Sequence, residues 1–270
     1  MIEQILWRLV TWKKPSIVFL LCGMFRHSER VTVRSDEELY GIATDHLQNW
    51  IDPIRALAKK YPLRNWGMVG YTFGELFADM MLAVFSMVGG AYFNAARTMR
   101  SVFEYMVHAS YVNQEFPSYP GLVYDTMQEE TADEEFGGRV RERLRTEFGF
   151  CDTELDQLTG FKSRMIYNLK FLTPEERACL HRTYSQLSEL VHPSPLQLKK
   201  YTGDAFLGVT FFYDRNLFRK CVRLMDAVMD LVLSVLLISF PEIATDLKSQ
   251  KYAYESLARL PMTSRLIKDS

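Results

Sequence analysis

The chain is poor in cysteine and has no excess of charge of either sign. None of its four cysteines stands in a Cys-x-x-Cys pair, which disfavours a zinc finger and a disulfide framework and leads us to expect a cytoplasmic protein. The net charge is −1 with a pI near 6.5. No overall basic field therefore draws the chain to nucleic acid, and any such binding must use a local patch.

Long hydrophobic runs are also missing. The apolar stretch 17–25 is too short to cross a bilayer, and no small-residue cleavage site follows it. The apolar run 231–240 follows Asp226 and Asp230 at helical spacing, so we interpret it as the buried end of an amphipathic helix. We expect no membrane association and no signal peptide.

Several enzyme motifs are absent. The sequence contains no Gly-x-Ser-x-Gly, no P-loop and no Gly-x-Gly-x-x-Gly motif. It therefore indicates no cofactor. Strand patterns are nearly absent as well, so the expected fold class is all-α.

Helical signals cover most of the chain. A capping-box pattern at residues 35–38 predicts a helix from Ser35 to about residue 60. Four longer helices are predicted at about 71–88, 91–113, 174–191 and 214–240, and their broad apolar faces predict one bundle. We divide the chain into N-terminal helices, 1–62, packed on a helical bundle, 63–270.

A charged insertion interrupts the bundle at about 121–150. Residues 128–135 are acidic and residues 139–145 contain four arginines. This segregation of charge favours short solvated helices. The alternative is a patch that contacts phosphate.

A polar stripe runs along the helix at 91–113. At helical spacing, one face carries Arg97, Arg100, Glu104, His108 and Tyr111, while the other faces, Tyr105 included, are apolar. We call this face the first polar stripe. Charged residues on a buried helix need partners, because an unpaired buried charge is costly.

A second polar stripe follows the helix at 174–191. It consists of His181, Ser185, Ser188 and His192, with Tyr184 among the apolar residues around it. If the two stripes face each other, Arg97, Arg100 and Glu104 meet Ser188 and His192 in one cluster. A structural network and a functional site are both open, because Arg100 and Glu104 can satisfy each other.

A metal site is a weaker alternative. Glu104 and His108 are four residues apart and supply half of a ligand set, which His181 or His192 would complete. Two ligand-type residues on one helix are common by chance. We therefore expect no bound metal.

The stripe residues resemble a known group. Two motifs resemble a prokaryotic domain family of unknown function that is similar to the HEPN helical group (higher eukaryote and prokaryote nucleotide-binding). The first motif is Gly90-Ala91-Tyr92 followed by Ala96, Arg97, Arg100 and Glu104, and the second consists of Tyr184, Ser188 and His192. The resemblance covers roughly residues 73–240. It implies an up-and-down bundle of four or five helices, often dimeric, in toxins and antiviral defence proteins.

Many HEPN domains are metal-independent RNases with Arg, four to six residues, then His on one helix. No Arg–His pair of this chain has that spacing, so Arg100 and His192 can meet only across helices. The resemblance implies RNA cleavage or binding, with Arg97 and Arg100 on the phosphate, His108 or His192 as general base and Glu104 orienting an arginine. Expected partners are RNA, a defence or toxin protein and a second copy. The alternative is a non-catalytic interaction or scaffold module.

Overall fold

A computed structural model describes residues 26–27, 29–37, 40–41, 67–117, 119, 136–158, 160–192, 213–240 and 260–269. Over these residues the chain is helical and contains no strand, which confirms the all-α prediction. The helices are α1 Met68–Val88, α2 Tyr92–Glu115, α3 Phe136–Phe148, α4 Asp152–Leu158, α5 Met165–Asn168, α6 Pro174–Val191, α7 Arg215–Ser239 and α8 Pro261–Asp269. No helix in this part of the chain combines the length and apolar character needed to cross a membrane.

Helices α1 and α2 form a hairpin across Gly89 and Gly90. The N–H of Gly90 donates to Met87 and that of Ala91 to Ser86, the two hydrogen bonds of a Schellman motif. Gly90 has φ of 79°, which a glycine adopts without strain. The turn brings α2 directly back along α1.

Helix α2 is the element on which α1, α6 and α7 all pack. Its buried face includes Met99, Phe103, Met106 and Val107, each with no exposed surface. These residues recur at three- and four-residue intervals, so they form one stripe of the helix. Burying that stripe fixes the orientation of the polar face beside it.

Helix α6 begins with the predicted cap. The N–H of Glu176 donates to Oγ1 of Thr173 at 3.2 Å, and the N–H of Thr173 donates to the Glu176 carboxylate at 2.8 Å. Pro174 occupies the first turn, where its missing N–H has no cost. The predicted bounds of α6 are confirmed, and those of α1, α2 and α7 differ by up to three residues.

Helix α8 is attached to α7 by a buried carboxylate. Asp230 of α7 accepts hydrogen bonds from the N–H groups of Met262 and Thr263, at 3.0 and 2.8 Å, and from the Thr263 hydroxyl. Arg265 then binds Glu176 of α6 at 2.8 Å. Asp230 therefore caps α8 from another helix, while Arg265 ties α8 to the start of α6.

The N-terminal residues that the structure describes touch the helical core. Residues 29–35 are helical, Asp36 interrupts the helix and helical residues resume at 37, so a helix begins close to the predicted start at Ser35 but another helix precedes it. The hydroxyl of Thr32 donates to the Val88 carbonyl, and the buried Asp36 binds Arg215 at 2.8 Å. These contacts join the segment to α1 and α7; residues 38–39 and 42–66 lie outside the described part.

The charged segment includes two short helices, α3 and α4, whose surfaces are mostly exposed. Leu144, Leu155 and Leu158 are buried in the core, so the segment is anchored by one apolar side. The predicted solvated helix is confirmed for residues 136–148, while α4 lies beyond the predicted insertion. Residues 128–135 lie outside the described part.

Candidate functional site

Arg100 on α2 is the centre of a cluster that joins both polar stripes. Its Nε donates to Oε1 of Glu104 at 2.7 Å, its Nη2 donates to the Tyr184 hydroxyl at 3.2 Å, and its Nη1 lies 3.0 Å from Nε2 of His192. The predicted contact between Arg100 and Glu104, with His192 in the same cluster, is confirmed. We call these four residues the Arg100 cluster.

Tyr184 is the member of the cluster that the sequence placed among apolar residues. Its hydroxyl donates to Glu104 at 3.2 Å and accepts from Arg100. Its ring centroid lies 5.7 Å from that of Phe103 and 5.0 Å from that of Phe161. The ring therefore belongs to the core, while the hydroxyl belongs to the site. Its spacing of four and eight residues from Ser188 and His192 was the signal for this role.

The packing of α6 on α2 brings the two halves of the cluster together. Tyr184 lies mid-helix, while His192 follows the last turn of α6 and its N–H donates to the Ser188 carbonyl at 2.9 Å. The imidazole thus extends from the end of the helix and is exposed. A helix C-terminus favours positive charge, which suits the neighbouring guanidinium.

The Arg100 cluster is open to solvent. The side chains of Arg100 and Glu104 are 23% and 27% exposed. Burial opposes the charged form of Arg100, but its bonds to Glu104 and Tyr184 outweigh that effect and raise the pKa of the guanidinium. A charged, pre-oriented guanidinium that water can reach is available to an anionic ligand.

The guanidinium retains donors for such a ligand. It has five N–H groups, and its three bonds use one on each nitrogen. Among the described residues, one N–H on Nη1 and one on Nη2 are left without a partner. These two terminal nitrogens are the pair that binds phosphate oxygens in a bidentate arrangement.

The other predicted site residues lie apart from these contacts. Arg97 is exposed, and its guanidinium bonds to no residue that the structure describes. His108 points to α4, where its Nε2 lies 3.3 Å from the Gln157 carbonyl. Burial lowers the pKa of His108, against the raising effect of backbone contacts at Gln157 and Leu158. Ser188 has a buried hydroxyl without a hydrogen-bond partner within the described ranges.

Of two tyrosines on α2, Tyr111 has the polar partner that the first polar stripe requires, whereas Tyr105 is not buried as the prediction for the apolar faces expected. Tyr111, assigned to the first polar stripe, is 8% exposed and donates to the Gln157 side chain at 2.6 Å. Tyr105, assigned to the apolar faces, is 39% exposed. Helix α4 covers α2 at Tyr111, whereas the Tyr105 face is left open.

Three of the four arginines of α3 are paired with carboxylates. Arg141 binds Asp156, Arg143 binds Glu147, and Arg145 binds Glu142 and Asp152. Each positive charge is thereby opposed by a carboxylate on α3 or α4. Such exposed pairs add little stability, but they leave no arginine of the three without a counter-charge.

The weaker metal alternative finds no ligand set. Within the ranges that the structure describes, no three His, Cys, Asp or Glu side chains come together as ligands. The two residues proposed as half of a site have other partners, since Glu104 binds Arg100 and His108 binds a backbone carbonyl.

A cleft of about 450 Å³ lies elsewhere, lined by Asn113, Gln114, Lys170 and Ile238 among others. No predicted site residue borders it. The polar groups of Asn113 and Gln114 are directed to the backbone of residues 68, 168 and 170. These amides serve the fold, so the chemistry-bearing residues direct attention to the Arg100 cluster instead.

Comparisons with protein-family models, with curated proteins and with solved structures found no match for this chain. A functional proposal therefore rests on the geometry of the Arg100 cluster and on the resemblance of its residues to the HEPN group.

Proposed function

We propose that this chain is a HEPN-like protein that binds RNA and cleaves it without a metal at the Arg100 cluster. The observation that carries the proposal is the 3.0 Å contact between Arg100 and His192 in a position that solvent reaches. An arginine and a histidine side by side are what the resemblance expects of a metal-independent RNase. Here two helices supply them, because no single helix has the usual spacing.

The roles follow from the chemistry of each group. His192 takes the proton of a ribose 2′-OH as general base, and the 2′-oxygen attacks the adjacent phosphorus. The bond from phosphorus to the 5′-oxygen breaks and that oxygen takes a proton from water, which leaves a 2′,3′-cyclic phosphate and a 5′-hydroxyl. Arg100 stabilises the negative charge that develops on the phosphate oxygens.

The remaining residues hold or extend this arrangement. Glu104 and the Tyr184 hydroxyl fix two edges of the Arg100 guanidinium. Arg97, three residues earlier on α2 and exposed, supplies a second cation for the phosphate backbone. His108 is the alternative base, although its contact with Gln157 directs it to α4.

The wider proposal follows the resemblance. It includes an up-and-down bundle of α1, α2, α6 and α7, a homodimer in the cytoplasm, and a role in a defence or toxin system with RNA or a protein as partner. The packing of α1, α6 and α7 on α2 supports the bundle.

The second candidate is a non-catalytic interaction or scaffold module. It is favoured by the fact that each nitrogen of Arg100 already has a partner inside the protein. In that case the cluster joins α2 to α6 and does nothing further.

The two candidates are separated by cleavage of single-stranded RNA in EDTA. We expect activity from the wild type and a loss of at least 100-fold, the range of a general base or an oxyanion donor, in Arg100→Ala and His192→Ala. His192 is exposed, so its variant should keep its stability to within about 0.5 kcal/mol. Arg182→Ala and His181→Ala, changes on α6 outside the cluster, are the matched controls.

Two results would contradict the proposed roles. A folded wild type that neither cleaves nor binds RNA, as monomer or dimer, contradicts the RNase and RNA-binding proposal. Equal activity in His192→Ala and His181→Ala would remove His192 from the mechanism.

A further inference from the structure

A row of side chains on α2 faces solvent next to the Arg100 cluster. Arg97, Ser101 and Tyr105 are four residues apart, so they share one face of the helix. Arg97 is exposed, and the ring of Tyr105 is 39% exposed. The Ser101 hydroxyl donates to the Arg97 carbonyl at 3.3 Å. Ser101 therefore places only a small side chain on the helix between Arg97 and Tyr105. We call these three residues the solvent row.

Tyr105 makes no specific side-chain contact among the described residues. It makes no ring contact, hydrogen bond or ion pair with any of them, whereas Tyr184 stacks on Phe103 and Tyr111 bonds to Gln157. An aromatic ring that faces water without a partner leaves one surface free for a ligand.

The charged residues in the first half of α2 have one sign. From residue 92 to residue 103, α2 contains two arginines and no acidic residue. The next carboxylate, Glu104, is occupied by Arg100 and Tyr184. Arg97, which forms no ion pair with any residue that the structure describes, lies about 12 Å along the helix from Tyr105.

Positive charge and an open aromatic ring on one surface suit unpaired nucleotides. Cations hold the phosphates, and aromatic rings stack on bases that are not stacked in a duplex. A paired base has no free face to offer, since its neighbours cover it on both sides. A surface of this kind discriminates by strandedness rather than by base sequence.

We propose that Tyr105 stacks an unpaired base adjacent to the phosphate that Arg97 and Arg100 hold, so that the site selects single-stranded RNA. The inference rests on the proposed function, because it uses the same phosphate position. It adds a binding residue outside the catalytic cluster and a structural class of substrate.

The test is binding of a fluorescent single-stranded oligonucleotide with 2′-O-methyl riboses, which cannot be cleaved at the 2′-oxygen. Stacking on an aromatic side chain predicts about 5- to 150-fold weaker binding by Tyr105→Ala and by Tyr105→Leu. Tyr105→Phe retains the ring and should bind within about 2-fold of wild type, on the same stacking argument. Tyr167→Ala is the matched control, since Tyr167 is 51% exposed but contacts His181 instead.

A scan of single abasic sites along the oligonucleotide makes the test specific. At one position, removal of the base should weaken binding to the wild-type protein as much as the Tyr105→Ala substitution weakens binding of the intact oligonucleotide. The same abasic oligonucleotide should bind Tyr105→Ala no more weakly than the intact oligonucleotide does. Duplex RNA should bind weakly and with equal affinity to wild type and Tyr105→Ala. This double-mutant logic isolates the contact between ring and base.

The outcomes separate this inference from the proposed function. Unchanged binding by Tyr105→Ala and Tyr105→Leu, with a loss in Arg100→Ala, overturns the role of Tyr105 and leaves the phosphate site standing. Equal affinity for duplex and single strand also overturns it. Absence of any RNA binding by the folded wild type overturns both.

Discussion

Nη1 of Arg100 lies 3.0 Å from Nε2 of His192, although 92 positions separate the two residues in the chain. A guanidinium can only donate, so Nε2 must accept, and the proton of the neutral ring then lies on Nδ1. The lone pair that a general base needs is therefore occupied in the free protein. A phosphate that draws Arg100 to itself would release Nε2 at the moment when the substrate is in place.

The first prediction concerns the tautomer of His192. In the free protein we expect the neutral ring to be protonated on Nδ1, because Nε2 accepts from Arg100. Long-range proton–nitrogen NMR correlations on labelled protein measure this directly. Addition of the 2′-O-methyl oligonucleotide should shift the Nε2 resonance.

Arg100→Ala provides the control for this measurement, since it removes the donor, and His181 provides a histidine whose ring instead contacts Tyr167. A ring protonated on Nε2 in the wild type would contradict the hydrogen bond itself.

The second prediction separates the two parts of Tyr184. Tyr184→Phe removes the hydroxyl between Arg100 and Glu104 but keeps the ring on Phe103, so it should cost about 0.5–1.5 kcal/mol of unfolding free energy. Tyr184→Ala also removes the ring, and should cost about 3–5 kcal/mol, as for other large aromatic truncations. Urea unfolding measures both. Equal losses would mean that the ring contributes nothing.

The third prediction is a pH dependence that arises at Asp230. Burial raises the pKa of this carboxyl group, against the lowering effect of its hydrogen bonds from Thr263 and Met262. A pKa raised above the ordinary value of 3.8 gives a stabilising contribution that is present below that pH and is lost as pH rises through the folded-state pKa. The Asp230→Asn side chain cannot ionise, so the variant does not lose this stability as the pH rises.

The free energy of unfolding of Asp230→Asn, taken relative to that of the wild type, should therefore increase as the pH rises from about 3.5 to 7. Unfolding by urea at several pH values measures the difference, and groups common to both proteins cancel. A difference that stays constant or changes in the other direction would show that the hydrogen bonds outweigh burial at this carboxyl group.

The fourth prediction compares two glycines with positive φ. Gly67 and Gly149 have φ of 55° and 70°, so alanine is strained at both. A Cβ at Gly67 would lie 2.6 Å from Oδ1 of Asn113, which accepts from the Met68 N–H, whereas nothing lies within 4 Å at Gly149. Gly67→Ala should therefore cost about 1 kcal/mol more than Gly149→Ala, the contribution of one hydrogen bond.

Thermal or urea unfolding of the two variants checks this difference. Equal losses would show that Asn113 moves aside without cost and that only the backbone strain matters.

Local signals in the sequence were sufficient for the helices of the core. Thr173, Pro174 and Glu176 carry the complete start signal of α6, and Gly90 carries the stop signal of α1. The partnership of Arg100 and Glu104 was also predictable, since four residues along one helix place them together.

The contacts between helices required the three-dimensional structure. Whether Tyr105 or Tyr111 is covered depends on where α4 lies, and the spacing along α2 contains no information about α4. For the same reason, His108 was expected beside Arg100, whereas the Gln157 carbonyl is its contact. Spacing predicts which residues share a face, and tertiary packing decides which neighbour that face meets.

The division of the Arg100 cluster between α2 and α6 makes it a reporter of tertiary structure. An arginine and a histidine on one helix keep their proximity whenever that helix forms, even in a loosely packed state. Arg100 and His192 keep theirs only while α2 and α6 remain docked. Two fragments divided between these helices would each lack half of the cluster, so recovery of the contact on mixing would measure their reassembly.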